Sequence, residues 1–434
     1  MSETHKSLFA EDARTKTRNR AERRFKAYGI VAIAVGLFFL LALLTTIVSN
    51  GTRAFTQTFL TVDIALDQTV IEEAEASFVK TSKYKAIVGG ALVDALESAG
   101  IATEMDEATL LKILSESAGA SLREFVLSNE NAIGGTVSFN FLTSSRVDGY
   151  MKGRVVRADL ERDKNLDAAH LDLVDQMVEA GLVARKFNWD FIFGADASES
   201  RPEQAGIGVA MMGSFFMMLV VVGLSLPLGV AASIYLEEFA PKNRLVDLIE
   251  VNIANLAAVP SIVFGILGLA VFIQFAHLPQ SAPLVGGLVL TLMTLPTVII
   301  STRASLKSVP PSIRDAALGI GASKMQTVFH HVLPLAMPGI LTGAIIGVAQ
   351  ALGETAPLLL IGMVGYIATN APDGIVSGFM DPNSAMPAQI YEWAKRADPA
   401  YYERAWGGIL ILLAFLLVVN LGAIILRRRF ERRW

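Results

Sequence analysis

Charge is missing from long, well-separated stretches of this chain, and that absence constrains the fold more than any motif. Residues 27–49, 204–236, 251–302 and 405–426 contain no Asp, Glu, Lys or Arg, and 325–372 contains one, Glu354. About 20 apolar residues, rising 1.5 Å each, carry a helix across the hydrocarbon core of a bilayer. Each stretch fits one crossing except 251–302, which is interrupted at 277–283 by two prolines and several polar residues, the marks of a turn. The pattern predicts six membrane-spanning helices, near 27–49, 206–235, 253–275, 283–302, 337–361 and 405–426. The first exceeds the roughly 7–15-residue apolar region of a cleavable signal and lacks a small-x-small cleavage site, so it reads as a true span.

Composition excludes several functions. The chain is 53% hydrophobic and 18% charged, where soluble domains carry roughly 25% charge. It has no Cys, which removes disulfides, thiolate metal sites and Cys nucleophiles. Among the five His, the adjacent His330 and His331 project differently from a helix and no third ligand accompanies them, so no metal site is expected. A net charge of −4 offers no basic surface for nucleic acid. Met211, Met212, Met217 and Met218 read as packing or lipid-facing side chains. Gly229, Gly265, Gly343 and Gly347 read as points of close helix contact.

Orientation follows from the Lys/Arg bias of the flanks. The arm 1–26 carries Lys6, Arg14, Lys16, Arg18, Arg20, Arg23, Arg24 and Lys26, and the tail carries Arg427, Arg428, Arg429, Arg432 and Arg433. Both ends are expected in the cytoplasm, which an even number of spans allows, and their Arg clusters suit anionic membrane lipid. The loop 303–336 is then cytoplasmic and 50–204 lies outside. That outer block is long enough for a domain and acidic. Residues 58–66 and 135–141 alternate as strands do, while 83–97, 106–116 and 168–179 have helical apolar spacing. The expected fold is mainly α, polytopic, with an inserted α+β extracytoplasmic domain. That domain shows no catalytic constellation and reads as structural or as a docking platform, since an acidic surface repels anions.

The cytoplasmic loop carries the most specific signal. Ser312 is placed to cap a helix over 313–318 that Gly319 and Gly321 end, and Ser323 to cap a second through His331. Pro334 and Pro338 are then expected to open the fifth span. Arg314, Asp315-Ala316-Ala317, Gly321 and Leu333-Pro334 resemble the EAA loop of binding-protein-dependent ABC importer permeases. Asp315 stands where Glu is usual in that loop, and His331 where an aliphatic residue is usual. Val259-Pro-Ser-Ile-Val-Phe-Gly265, Leu295-Pro-Thr-Val-Ile-Ile300, Val309-Pro-Pro-Ser-Ile-Arg314 and Ala351-Leu-Gly-Glu-Thr-Ala-Pro-Leu358 narrow the likeness to the PstA-type permease of phosphate importers, over roughly 205–430.

The resemblance implies a five-helix permease core within the six spans, preceded by an extra domain. It implies a non-catalytic subunit of a bacterial inner-membrane phosphate importer, without a cofactor of its own. Its implied partners are a second permease (PstC type), a cytoplasmic ATPase dimer (PstB type) that binds ATP and Mg and meets the EAA loop, and a periplasmic phosphate-binding protein (PstS type). The absence of any G-x-x-x-x-G-K-[ST] segment agrees that ATP is handled on another chain. Two alternatives stay open: import of another oxyanion or small polar solute, and a membrane-anchored sensor or scaffold. Within a span an ionisable residue marks function by default, which singles out Glu354, with Gln350 and Thr355 beside it, as candidates on the translocation path. The family often places a basic residue a few positions before this Gly-Glu, where Gln350 stands here, and no predicted span holds a Lys or Arg, so a cation facing Glu354 would come from the partner permease. The alternatives are a protonated Glu354 or one that locks helix packing through Thr or backbone groups.

Overall fold

The computed structural model describes residues 13–157, 166–363 and 372–430 and divides into two compact units, Met1–Asn50 and Gly51–Trp434. The described residues of the first unit lie in the helix α1 (Ala13–Gly51). From Ile30 to Val48 it carries apolar residues with no charged face, as on a helix that meets lipid all round.

The second unit opens with a small antiparallel sheet in the order β2-β1-β3. The central strand is β1 (Thr56–Ala65), flanked by β2 (Thr136–Leu142) and β3 (Val183–Phe187). Alternation along β1 sends Leu60, Val62 and Ile64 into a core shared with Tyr84, Val88, Leu92, Leu122, Phe141 and Val174. Those partners come mainly from α2 (Lys80–Ser98), α3 (Ala118–Ser128) and α4 (Ala168–Glu179). Sequence periodicity predicts β1, β2, α2 and α4 but passes over β3, which buries only Val183. The helix expected over 106–116 is instead two short turns, Glu107–Leu110 and Leu111–Ile113. The edge of β2 captures the chain there: Leu114 bridges to Thr143, and the Ser115 amide donates to the Leu142 carbonyl at 2.9 Å.

Among the described residues five helices are long and apolar enough to cross a membrane: Arg14–Phe55, Gly208–Phe239, Pro283–Lys307, Lys324–Gly353 and Pro399–Arg429. The span expected over 253–275 is not a straight crossing. Helices α6 (Arg244–Ala257) and α7 (Ser261–Gly268, continued to Phe275) pass the same test only as a pair, bent by 102°. Pro260 sits at the break with φ −56° and ψ 136°, since it removes an amide donor and clashes with the turn before it.

The helix Pro283–Lys307, α8, is the most buried of the spans. It packs between α5 (Gly208–Ile234, extended by a π turn to Phe239) and α10 (Leu333–Gly353). The expected glycine contacts are real. A Cβ on Gly229 would lie 2.7 Å from Val298, one on Gly347 2.9 Å from Thr294 Cγ2, and one on Gly343 would strike the Ser301 hydroxyl. Met217 and Met218 are buried in the same core. The chain then adds α11 (Met386–Lys395) and ends on α12 (Pro399–Phe430).

Candidate coupling loop and translocation helix

Between α8 and α10 the loop forms a short helix, α9 (Pro311–Gly319). Pro311 occupies its first turn, where a missing amide costs nothing. Pro310 takes the cap position and Ser312, expected to be the cap, lies inside the helix. The C-terminus is a Schellman motif: the Ala322 amide donates to the Ala317 carbonyl (3.1 Å) and the Gly321 amide to the Leu318 carbonyl (3.0 Å). It requires Gly321 at φ +93°, which an L side chain rarely adopts. Ser323 then caps the next helix as expected, accepting from the Gln326 amide while Gln326 Oε1 accepts from the Ser323 amide.

That next helix does not stop at His331. Lys324–Gln326 runs through a π turn, Thr327–Val332, into α10 without a break. Pro334 therefore sits within a continuous helix instead of opening one. The π turn shifts the hydrogen-bond register where the proline supplies no donor.

Arg314 fixes this loop to the rest of the fold. Its Nη2 donates to Glu238 Oε1 (2.7 Å) and to the Leu306 carbonyl (2.9 Å), its Nε to Glu238 Oε1 (3.1 Å) and its Nη1 to the Val309 carbonyl (2.8 Å). Arg303 makes a parallel tie to Glu250 (2.6 Å) and Glu237 (3.4 Å). Ala317 is buried, and Leu333 packs against the cluster of Ile234, Leu306, Val309, Val328 and Val332. Asp315 and Ala316 face outward, beside the exposed Leu318, Ile320, Met325 and Phe329. The loop is thus a clamped base with an apolar tip that carries one carboxylate. Its acidic anchors, Glu237 and Glu238, escape a reading of motifs; their only sequence signal is a Glu pair at the end of a charge-free run.

Glu354 is not in the middle of a helix. The span expected over 337–361 ends at Gly353, Glu354 is extended (φ −74°, ψ 132°), and Thr355 precedes a short helix, Ala356–Leu360. Gly353 and Pro357 make this break, and Gly265 of α7 packs against it, its Cβ position 2.7 Å from Pro357 Cα. Gln350 is exposed, while Glu354 and Thr355 are half-buried. Among the described residues Glu354 has neither an ion pair nor a side-chain hydrogen bond. Its carboxylate stands at a helix C-terminus, where the dipole disfavours negative charge.

Two family profiles match this chain. One, described as a domain of unknown function (DUF3333), covers residues 12–161, and one, described as the binding-protein-dependent transport system inner membrane component, covers 225–434. The phosphate transport system permease protein PstA 1 of Mycobacterium tuberculosis (strain CDC 1551 / Oshkosh) is 33% identical over 234 residues, 54% of this chain and 74% of the relative. A probable ABC transporter permease protein, YqgI of Bacillus subtilis (strain 168), is 31% identical over 226 residues, 50% of this chain and 76% of the relative. The chain belongs to the binding-protein-dependent permease family. An inward-facing structure of the MetNI methionine ABC transporter aligns with a TM-score of 0.40 at 16% identity, covering 52% of this chain and 95% of that one. As a permease of this family the chain is a non-catalytic, multi-pass membrane subunit of an ABC importer, and its PstA-type resemblance is carried by relatives of that name.

The permease core is fastened to the 51–207 domain by buried charge that sequence reasoning missed. Arg404 of α12, 3% exposed, donates to the carbonyls of Ala54 (3.1 Å), Pro202 (3.3 Å) and Glu203 (3.0 Å) and to Gln57 Oε1 (2.6 Å). It thereby holds both chain connections of the domain. Next to it Lys152 pairs with Asp148 (2.8 Å) and Glu403 (2.6 Å). Burial pushes the Glu203 carboxyl above its usual range, although the Ser115 hydroxyl donates to it at 2.5 Å. Only Asp148, on the helix Ser145–Met151, and Lys152 at its C-cap, four positions apart, left a local trace in the sequence.

Proposed function

We propose that this permease imports inorganic phosphate, as the PstA-type half of a two-permease channel in a bacterial inner membrane. The observation that carries the reading is its 33% identity over 234 residues to a phosphate transport system permease. In this reading the tip formed by Asp315, Ala316, Leu318 and Ile320 enters a groove of a cytoplasmic ATPase that binds ATP and Mg. Ala317, Gly321, Leu333 and Pro334 shape that tip, and Arg314 passes its displacement to α5 through Glu238. Both termini are cytoplasmic, following the Lys/Arg bias, which leaves residues 50–204 in the periplasm where a phosphate-binding protein docks. Glu354, in the helix break with Thr355 and one turn beyond Gln350, lines the path. A bare carboxylate would repel phosphate, so it positions a cation from the partner permease.

The test is uptake of labelled phosphate into proteoliposomes holding the co-purified permeases and ATPase, fed by the phosphate-binding protein. Phosphate is expected to be transported in preference to sulfate and molybdate, and uptake to fall at least tenfold in Glu354→Gln with assembly intact. Transport of another solute in place of phosphate refutes the substrate. Unchanged uptake by Glu354→Gln removes Glu354 from the path.

A further inference from the structure

We infer that an aromatic cluster at the root of the 51–207 domain is seated in the interfacial layer of the membrane, so that the boundary between lipid headgroups and acyl chains is its partner. Four rings form a connected row: Phe55 and Phe187 (centroids 6.2 Å apart), Phe187 and Trp189 (4.7 Å), and Trp189 and Phe193 (6.2 Å, stacked). Three of them are open, with Phe187 46%, Trp189 63% and Phe193 68% exposed. Apolar rings grouped this way on a surface mark an interaction site.

Two independent passages of the chain set the level of this row, whose Phe187 is the register partner of Thr56 at the start of β1. At the other end, the amides of Ile207 and Gly208 donate to the carbonyls of Phe191 and Gly194 at 2.9 Å, and Gly208 is the first residue of the membrane helix α5. On α12, a Cβ at Gly407 would lie 2.7 Å from Phe191 Cζ, just inside the charge-free run that begins at Ala405. That run, 405–426, spans about 30 Å at 1.5 Å per residue, the thickness of the hydrocarbon core. The row therefore stands where two membrane segments, α5 and α12, leave the bilayer. Amphipathic aromatic rings are enriched at that depth, the apolar face in the acyl region and the indole N–H in the headgroups. The domain then rests on the membrane surface from which it projects, in addition to being tied to α12.

The chain has no cysteine, so a spin label at Phe193→Cys reports one position. The full-length protein in phosphatidylethanolamine–phosphatidylglycerol vesicles would be probed for collisions with oxygen, which partitions into lipid, and with a nickel chelate, which stays in water. Phe78→Cys, fully exposed between the helices Gln68–Ala76 and Lys80–Ser98, and Val418→Cys, 68% exposed on α12, supply the water and lipid limits. The label at 193 is expected several-fold above Phe78→Cys in its oxygen-to-nickel ratio and below Val418→Cys. A ratio equal to that of Phe78→Cys would place the row in water and overturn the inference. Poor access to both probes would show a protein partner covering it, and overturns it equally. A second measurement does not depend on the cysteine variant: lipids brominated near the headgroup should quench the wild-type tryptophan emission more than that of Trp189→Phe. Equal quenching of the two refutes the seat.

Discussion

The tie between the 51–207 domain and the last helix is testable through one ammonium group. Lys152 Nζ lies 2.8 Å from Asp148 Oδ2 and 2.6 Å from Glu403 Oε1, and its side chain is 1% exposed. Lys152→Met keeps the apolar stem and deletes the charge. Two buried carboxylates then keep Arg154 as their remaining ion-pair partner, 3.6 Å from Asp148 and 3.4 Å from Glu403, with the Arg404 charge acting on both. Breaking a buried pair by removing one partner costs about 3–5 kcal/mol, because the other charge is left uncompensated. Arg154 and the two bonds that Thr58 donates to Asp148 at 2.9 Å place this variant near the lower end, about 3 kcal/mol. For a domain of this size one kcal/mol moves the melting point by roughly 2–4 °C, so a fall of about 6–12 °C is expected. The assay is the thermal transition of the full chain in lipid nanodiscs, followed by near-ultraviolet circular dichroism. Lys152→Met/Glu403→Gln removes one of the stranded carboxylates and should recover more than half of the loss. A single variant that melts within about 2 °C of wild type would refute the claim that this cluster fastens the two halves.

Gly343→Val drives its side chain into Ser301, an overpacking cost of about 1–3 kcal/mol. Size-exclusion chromatography should show loss of the monodisperse fold, and Ser301→Gly in the same chain should restore part of it. Gly321→Ala forces an L residue to φ +93° at about 1–2 kcal/mol. Hydrogen exchange at the Ala322 amide, which closes the Schellman turn, should then accelerate roughly tenfold. Glu75 is held down to about 2 from its ordinary 4.5, chiefly by the Arg123 guanidinium bonded to it and then by Lys80. Since the folded value is the lower one, its stabilisation is complete above about pH 4.5 and disappears as pH falls towards 2. Thermal melts from pH 6 to 2 should show that acid slope flattened in Glu75→Gln.

How far the sequence carries depends on whether a feature is local. Avoidance of charge is local, so the spans are legible, as are Ser323 as a cap and Gly321 as a stop. The direction of an apolar run is not local. The stretch 253–275 reads as one crossing because hydropathy is unchanged across Pro260, yet the chain turns there by 102°. Glu354 shows the same failure at smaller scale: Gly353 and Pro357 hint at irregularity, but only the packing of Gly265 against Pro357 shows why the helix ends there. Strand β3 is hidden because an edge strand with one buried residue has no period to detect. Partners distant in sequence are the least legible. Glu238 is invisible until Arg314 reaches it from 76 positions away, and Glu403 until Lys152 does so from 251. Arg404 makes the point most sharply. A basic residue at the end of an apolar run ordinarily signals where a helix enters water, and in the sequence Arg404 does just that. In the fold it is buried and spends its donors on Ala54, Gln57, Pro202 and Glu203. The charge that closes the last span is therefore the one that locks the inserted domain onto it, and only the three-dimensional arrangement distinguishes those two roles.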